Sequence, residues 1–224
     1  MKVLFISANT EKVNMPTLPF GLGCIAEAAR QAGHEIQMLD LMGETNPLPV
    51  LQEAICEFHP EVIGISVRNI DDQRMEDTKF MLDKARATVM ECKRLSPAPV
   101  VIGGAGYSIV PVAALEYLGA DMGIQGEGEA SFLKLLGCLC EKAGVEGIPG
   151  LYLRGKGLQG EREFVENLDD LPLPGPDLWR GSFARDPAVW MPIQTRRGCS
   201  MEQLLFDRHG RRQETQEPFR CPGH

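Results

Sequence analysis

The sequence predicts an α/β protein built on a five-stranded parallel sheet with helices on both faces. Two observations carry this. Short apolar runs such as Val3-Leu4-Phe5-Ile6 and Val62-Ile63-Gly64-Ile65 lack the polar alternation of a half-exposed strand, so they read as strands buried on both faces. Between them lie stretches with apolar residues three and four apart, the spacing of one helical face. Strand and helix patterns alternate along the chain, which implies parallel strands joined by helical crossovers.

Lys2–Ser7 is the first strand, followed by a polar loop to Leu18 with a proline at Pro16. That loop is long for a strand-to-helix link, and such length marks function. Phe20–Gln31 is a helix with Leu22, Ile25, Ala29 and Ala32 on one face, stopped by Gly33. Residues 34–39 form the second strand, Pro47–Phe58 the second helix and residues 61–67 the third strand. Residues 74–95 read as one long helix with Met81, Ala85, Val89 and Cys92 inward. Residues 99–102 are the fourth strand, 112–118 a short helix, 121–124 the fifth strand and 127–142 the last helix, with Phe132, Leu136 and Leu139 inward. Right-handed crossovers make the flavodoxin-like (Rossmann-like) order 2-1-3-4-5 the simplest arrangement. This domain covers residues 1–148. Residues 149–188 are expected to hold a small hairpin, with arms at 151–154 and 163–165 around Gly155-Lys156-Gly157, and then a linker rich in proline. A new strand starts near residue 189.

The chain has 224 residues and a net charge of -8, which argues against nucleic acid and anionic membrane as partners. No apolar run is long enough to span a bilayer, and the amino-terminal stretch is too strand-like for a signal peptide, so a cytoplasmic location is expected. Seven cysteines are an odd number. Those at 24, 56, 92, 138 and 140 fall in helical patterns and read as buried free thiols. Cys138 and Cys140 are two residues apart, which places them on different sides of a helix and not together on a metal. His34 and His59 stand where strands begin, at the opposite rim from the candidate loops, and read as structural.

In an open parallel sheet the loops after the strands converge on one rim, at their carboxyl ends. Three of those loops are distinctive: Ser66-Val67-Arg68-Asn69, Gly103-Gly104-Ala105-Gly106-Tyr107 and Gly126-Glu127-Gly128-Glu129. Glycine backbone at a rim suits a ligand that approaches the main chain closely. Each also has a plainer explanation: a tight turn at Gly103-Gly104, a helix cap at Gly126–Glu129 with acidic residues suited to the helix dipole, and a solvated charge cluster at Arg68–Asp72. Glu127 and Glu129 disfavour a phosphate on that helix terminus and favour amide or hydroxyl donors. Dinucleotide and P-loop fingerprints are missing from the sequence.

The ordered set from Pro19-Phe20-Gly21-Leu22-Gly23, through Ser66–Asp71 and Gly103–Ser108, to Gly126–Glu129 resembles the cobalamin-binding domain of cobalamin-dependent radical S-adenosylmethionine enzymes. Leu168-Asp169-Asp170-Leu171-Pro172 and Gln194-Thr195-Arg196-Arg197-Gly198-Cys199-Ser200 look like that family's passage into its radical domain. The resemblance implies that the cofactor's nucleotide tail threads between sheet and loops while the corrin caps the strand ends. It implies cofactor-binding roles for Asn9, Ser66, Arg68, Asn69, Asp71, Gly103, Gly104, Ala105, Gly106, Tyr107, Gly126, Glu127, Gly128 and Glu129. The Asp-x-His-x-x-Gly element that supplies a lower cobalt ligand elsewhere is replaced by Ser7-Ala8-Asn9-Thr10, so no histidine ligand is expected. Residues 68–72 would lie near the lower face of the corrin. Two other classes remain open from the residues alone: a cofactor-free, flavodoxin-like partner-binding domain, and a flavin- or nucleotide-binding enzyme.

Residues 189–202 correspond to the start of a truncated radical domain, with Cys199 as its metal ligand. In the intact parent, which the resemblance makes a methyltransferase type, three cysteines at Cys-x-x-x-Cys-x-x-Cys hold a [4Fe-4S] cluster whose open iron binds S-adenosylmethionine. Here Cys199 is followed by Ser200 to Asp207 without a cysteine, so the chain alone is expected to build no cluster and to be inactive as a radical enzyme. Residues 203–224 have almost no apolar pattern and are expected to be disordered or the product of a frameshift. Read one base along, codons for Gln203–Asp207 can encode Ser-Tyr-Cys-Ser-Thr, which introduces a cysteine.

Overall fold

The computed structural model describes residues 1–10, 17–42, 44–72, 74–179, 189, 190, 192, 194 and 197. The expected truncated radical domain and tail, Cys199 included, lie outside the described residues apart from those five positions. Strands and helices alternate as β1 (Lys2–Ser7), α1 (Phe20–Gln31), β2 (Glu35–Asp40), α2 (Pro47–Phe58), β3 (Val62–Ser66), α3 (Leu82–Leu95), β4 (Val100–Gly103), α4 (Ala105–Ile109), α5 (Pro111–Leu118), β5 (Met122–Ile124), α6 (Glu129–Glu141), β6 (Leu151–Leu153) and β7 (Gly157–Leu158). The sheet order is β2-β1-β3-β4-β5-β6-β7. The first five strands are parallel and follow the expected order.

Each face of the sheet is covered because β1, β3 and β4 are apolar on both sides. Leu4, Ile6, Ile63, Ile65, Val100 and Ile102 pack against Leu51 and Ile55 of α2, Ala85 and Val89 of α3, and Leu115 of α5. Val3, Phe5, Val62 and Val101 pack on the other face against Leu22 and Ala26 of α1 and Phe132, Leu135 and Leu136 of α6. The rings of Phe5 and Phe132 stand 5.1 Å apart between centroids, a tilted aromatic pair.

Three expectations are corrected. The hairpin is not a separate unit: β6 pairs antiparallel with β5, so the sheet has seven strands. Its return arm is Gly157–Leu158 and not residues 163–165, because Gly155 and Gly157, at φ 77° and 80°, reverse the chain at once. The long helix expected over 74–95 begins only at Leu82. Before it, the Asp72 carboxylate accepts hydrogen bonds from the Arg74 and Lys79 amides, at 3.3 and 3.0 Å, and holds the segment as a loop. The glycine-rich stretch after β4 contains a helix of its own, α4, which had been read as loop.

The histidines fit structural roles. His34 Nδ1 is 3.3 Å from the terminal amine, and His59 closes α2 in a left-handed conformation at φ 51°. Of the helical cysteines, Cys24 and Cys92 are buried as expected, but Cys56 and Cys140 are exposed and Cys138 is half-buried. The linker is not free of the domain. Trp179 lies on α1 where Gly23 leaves room for it, and Arg30 of α1 donates to Asp177 at 2.6 Å.

Candidate functional site

The carboxyl ends of β1, β3, β4 and β5 open into a cavity of about 760 Å³. Parallel strands with a gap between flanking helices create such a crevice without any special sequence. Its interior is apolar, from Phe5, Leu22, Ile25, Ile65, Val101, Ile102, Ile124 and Phe132. Its mouth is polar, with Ser7, Asn9, Thr17, Ser66, Arg68, Ser108, Glu127, Glu129, Gln194 and Arg197. Gly64, Gly103 and Gly104 supply the floor. A Cβ on Gly64 would lie 2.9 Å from the Phe5 ring. One on Gly104 would lie 2.6 Å from the Val67 carbonyl oxygen and 3.0 Å from Ser66 Oγ, and Gly104 sits at φ 100°, ψ 170°, where side chains are strained. The floor is smooth because three side chains are missing from it.

The loops above the floor are fastened to one another. The Val67 amide donates to the Gly103 carbonyl at 2.8 Å, and the Gly106 amide donates back to the Val67 carbonyl at 3.0 Å. Ser108 Oγ donates to the Gly104 carbonyl at 2.9 Å and accepts from the Gly126 amide at 3.0 Å. Ser108 thus ties the second glycine loop to the third. On the far side, Arg68 donates to Thr17 Oγ1 at 2.6 Å.

Of the residues expected to bind a cofactor, Asn9, Ser66, Arg68, Gly103, Gly104, Ala105, Gly126, Glu127, Gly128 and Glu129 line this cavity. Four others are placed elsewhere. Tyr107 is fully buried in the core against Gly123, its hydroxyl without a hydrogen-bond partner among the described residues, and burial raises its pKa above the ordinary phenol value. Gly106 packs against the backbone of Arg68 and Asn69. Asn69 borders a small pocket with Thr10 and Met81, and Asp71 pairs with Phe80 in an isolated bridge. Helical spacing explains Tyr107: in α4 Ala105 and Ser108, three residues apart, share the face toward the cavity, while Tyr107 is turned into the core.

The expectation that Glu127 and Glu129 would face donors on a ligand is revised. Their partner is Arg197. Its Nη2 donates to Glu129 Oε1 at 2.5 Å, and its Nη1 lies 3.3 Å from Glu127 Oε2. Glu127 Oε2 also accepts from the Val165 amide at 2.5 Å. Burial works against the Arg197 charge, but the hydrogen bonds and charges of Glu129 and Glu127 outweigh it and hold its pKa above the ordinary value. Close by, the Cys24 thiol is pushed up to about 11 by burial and by Glu129, with Arg197 acting against them.

Sequence reasoning missed Thr17, Gln194 and Arg197 as wall residues, placed Ser108 in the glycine loop without giving it a role, and read Phe132 only as core. Ser108 was open to detection as the hydroxyl following the glycine run, at the point where the chain must be tied down. Arg197 stands in the Gln194–Ser200 run, but nothing local tied it to the cavity, because its partner Glu129 lies 68 residues away.

Comparison with known proteins gives one consistent answer. The family described as "B12 binding domain" matches residues 6–136. The chain is 31% identical over 153 residues to tryptophan 2-C-methyltransferase of Streptomyces laurentii, covering 66% of this chain and 26% of that protein. It is 30% identical over 196 residues to hopanoid C-3 methylase of Methylococcus capsulatus, covering 84% and 35%. Across its curated relatives the chain spans between 26% and 43% of their length. Among solved structures, the radical S-adenosylmethionine methyltransferase TsrM from Kitasatospora setae, with cobalamin and a [4Fe-4S] cluster bound, superposes with a TM-score of 0.68 at 28% identity, over 79% of this chain and 32% of that one. The cobalamin-dependent radical enzyme OxsB shares the fold, with a TM-score of 0.67 at 20% identity, over 88% of this chain and 27% of that one. The flavin-type and cofactor-free alternatives give way. The chain belongs to the B12-binding domain family, and its kinship lies with the cobalamin-dependent radical S-adenosylmethionine methyltransferases.

Proposed function

We propose that this chain is the cobalamin-holding module of a radical S-adenosylmethionine methyltransferase, and that the nucleotide tail of the cofactor occupies the cavity at the carboxyl ends of β1, β3, β4 and β5. The observation that carries the reading is the glycine floor. A flat nucleotide base needs a smooth, apolar slot, and Gly64, Gly103 and Gly104 leave one beneath an apolar interior. The roughly 760 Å³ cavity suits the tail and leaves the wide corrin at the mouth, where polar side chains meet its amide groups.

The residues present fit such a group. Gly103 and Gly104 let the tail lie against the main chain. Ser66 presents a hydroxyl beside it. Ser108 keeps the two glycine loops in register, so the slot is formed before the ligand arrives. Asn9 and Arg68 stand at the mouth for hydrogen bonds to corrin side chains. Bound cobalamin supplies methyl-group transfer chemistry. The chain's own residues bind it, orient it and keep water from its tail. Cys199, as one thiolate of an iron–sulfur cluster, and a radical domain beginning near residue 189 belong to the same proposal, as does methyl transfer by the whole enzyme.

The test is reconstitution. Purified protein is incubated with hydroxocobalamin, desalted and examined by visible absorption. Retained corrin bands are expected, with a base-off profile if the slot holds the tail base. A colourless protein, or a base-on spectrum, overturns the proposal.

A further inference from the structure

Resting on that cobalamin reading, we infer that the cofactor site is completed by Pro192, Gln194 and Arg197, outside the matched family domain, and that Arg197 is the positioning residue that clamps them at the cavity mouth. The family match ends at residue 136. The cavity does not, because Pro192, Gln194 and Arg197 form part of its wall.

The segment is held at both ends. At one, Trp190 bridges Thr17 in parallel, and the Leu18 amide donates to the Trp190 carbonyl at 3.2 Å. At the other, Arg197 enters the pair of carboxylates at the start of α6. Its side chain is 13% exposed, and those of Glu129 and Glu127 are 6% and 16% exposed. Arg197 Nε also donates to Gln194 Oε1 at 3.0 Å, which ties the two wall residues to each other. A planar guanidinium held by two carboxylates in a nearly dry setting has one orientation. The contact is therefore a clamp and not a loose surface pair.

The acidic residues at the head of α6 gain a purpose from this. With Arg197 in place, Glu127 and Glu129 are two like charges that are nearly desolvated, and the guanidinium between them supplies the compensating cation. In sequence, Arg197 is two residues before Cys199, so the same clamp fixes the point from which the chain leads to that cysteine.

The test uses the full chain and a Glu127→Gln/Glu129→Gln double variant, in which the amide oxygens still accept hydrogen bonds but the charge is gone. Thermal unfolding checks that both fold. Trypsin cleavage after Arg197, without cobalamin, reads how often the clamp opens. Release of bound cobalamin, followed by visible absorption after dilution, reads the wall. Cleavage and release should each be about tenfold faster in the double variant, roughly the factor that one charge-assisted hydrogen bond is worth. Arg197→Lys, which keeps a charge but not the fork, should release cobalamin at an intermediate rate. Equal cleavage rates overturn the clamp. Faster cleavage with unchanged release overturns the assignment of Pro192, Gln194 and Arg197 to the cofactor site. If the unaltered chain retains no cobalamin, the underlying reading and this inference fall together, while the cleavage arm still shows whether the clamp exists.

Discussion

Gly103 and Gly104 are adjacent and both lie on the cavity floor, yet the structure separates their roles. Gly104 holds φ 100°, ψ 170°, and a Cβ there would stand 2.6 Å from the Val67 carbonyl oxygen. That oxygen belongs to backbone fixed by the Gly103 and Gly106 hydrogen bonds, so it cannot move aside cheaply. Backbone strain of this kind costs about 1–3 kcal/mol, and the overlap adds to it, so Gly104→Ala should lose about 3 kcal/mol. For a chain of this size that is a fall in Tm of roughly 6–12 °C, at about 2–4 °C per kcal/mol. Gly103 is different: its added Cβ would meet only the Ile124 carbonyl oxygen, at 3.6 Å, an ordinary contact. Gly103→Ala should stay within about 1 kcal/mol of the parent. Gly103→Ile, which extends a side chain into the slot, should weaken cobalamin binding at least about tenfold, the lower end of what overpacking a formed site costs. Circular dichroism melts and cobalamin titration followed by absorbance separate the two. If Gly104→Ala melts within 2 °C of the parent (well under the ~6 °C floor), the strain argument fails. If Gly103→Ile binds as tightly as the parent, the tail does not lie on that floor.

Other outcomes can be stated briefly. Tyr107→Phe removes a buried hydroxyl that has no partner among the described residues, so it should leave stability unchanged or raise it by about 1 kcal/mol, read from the urea midpoint; a loss of that size would mean the hydroxyl is bonded. Among the described cysteines, Cys56 and Cys140 should react quickly with a thiol reagent at mildly alkaline pH, whereas Cys24 and Cys92 should not, as mass spectrometry would show. Burial pushes Cys24 up to about 11 and Cys92 up to about 12, against an unfolded value of 9.0. Between these values the folded chain holds more protons than the unfolded one, so stability should fall as pH rises above 9; a flat melt profile there would contradict the burial. Gly23→Ala would gain helix propensity in an ordinary helix, but its Cβ would stand 2.5 Å from the Trp179 ring. The expected result in a Trp190→Phe background is a red-shifted Trp179 emission from linker displacement, and an unshifted spectrum would show that the linker is not packed there.

Much of the fold was legible because its signals are local. Lys2–Ser7, Phe20–Gln31 and Pro47–Phe58 coincide with the expected elements, since apolar run length and helical spacing decide them within a few residues. The failures are equally physical. Residues 74–81 have a helical look, but Asp72 offers its carboxylate to two amides and wins against the helix. Gly103 to Ser108 looks like coil by composition, yet once Gly104 has made its unusual turn, the residues after it are free to wind into α4. At the site, the glycines were readable because a missing side chain is a local fact. The role of Glu129 was not, because it is set by Arg197, which only the folded chain brings near.

The β6–β7 hairpin carries one more consequence. A parallel sheet that stopped at β5 would offer a row of open amides and carbonyls to any passing strand. The hairpin turns that edge over to an antiparallel neighbour and then narrows it to the two residues Gly157 and Leu158. So short a margin gives a second copy almost nothing to pair with. That margin of the sheet is thereby closed to sideways growth, and the longer edge left in it is β2, Glu35–Asp40, on the opposite side.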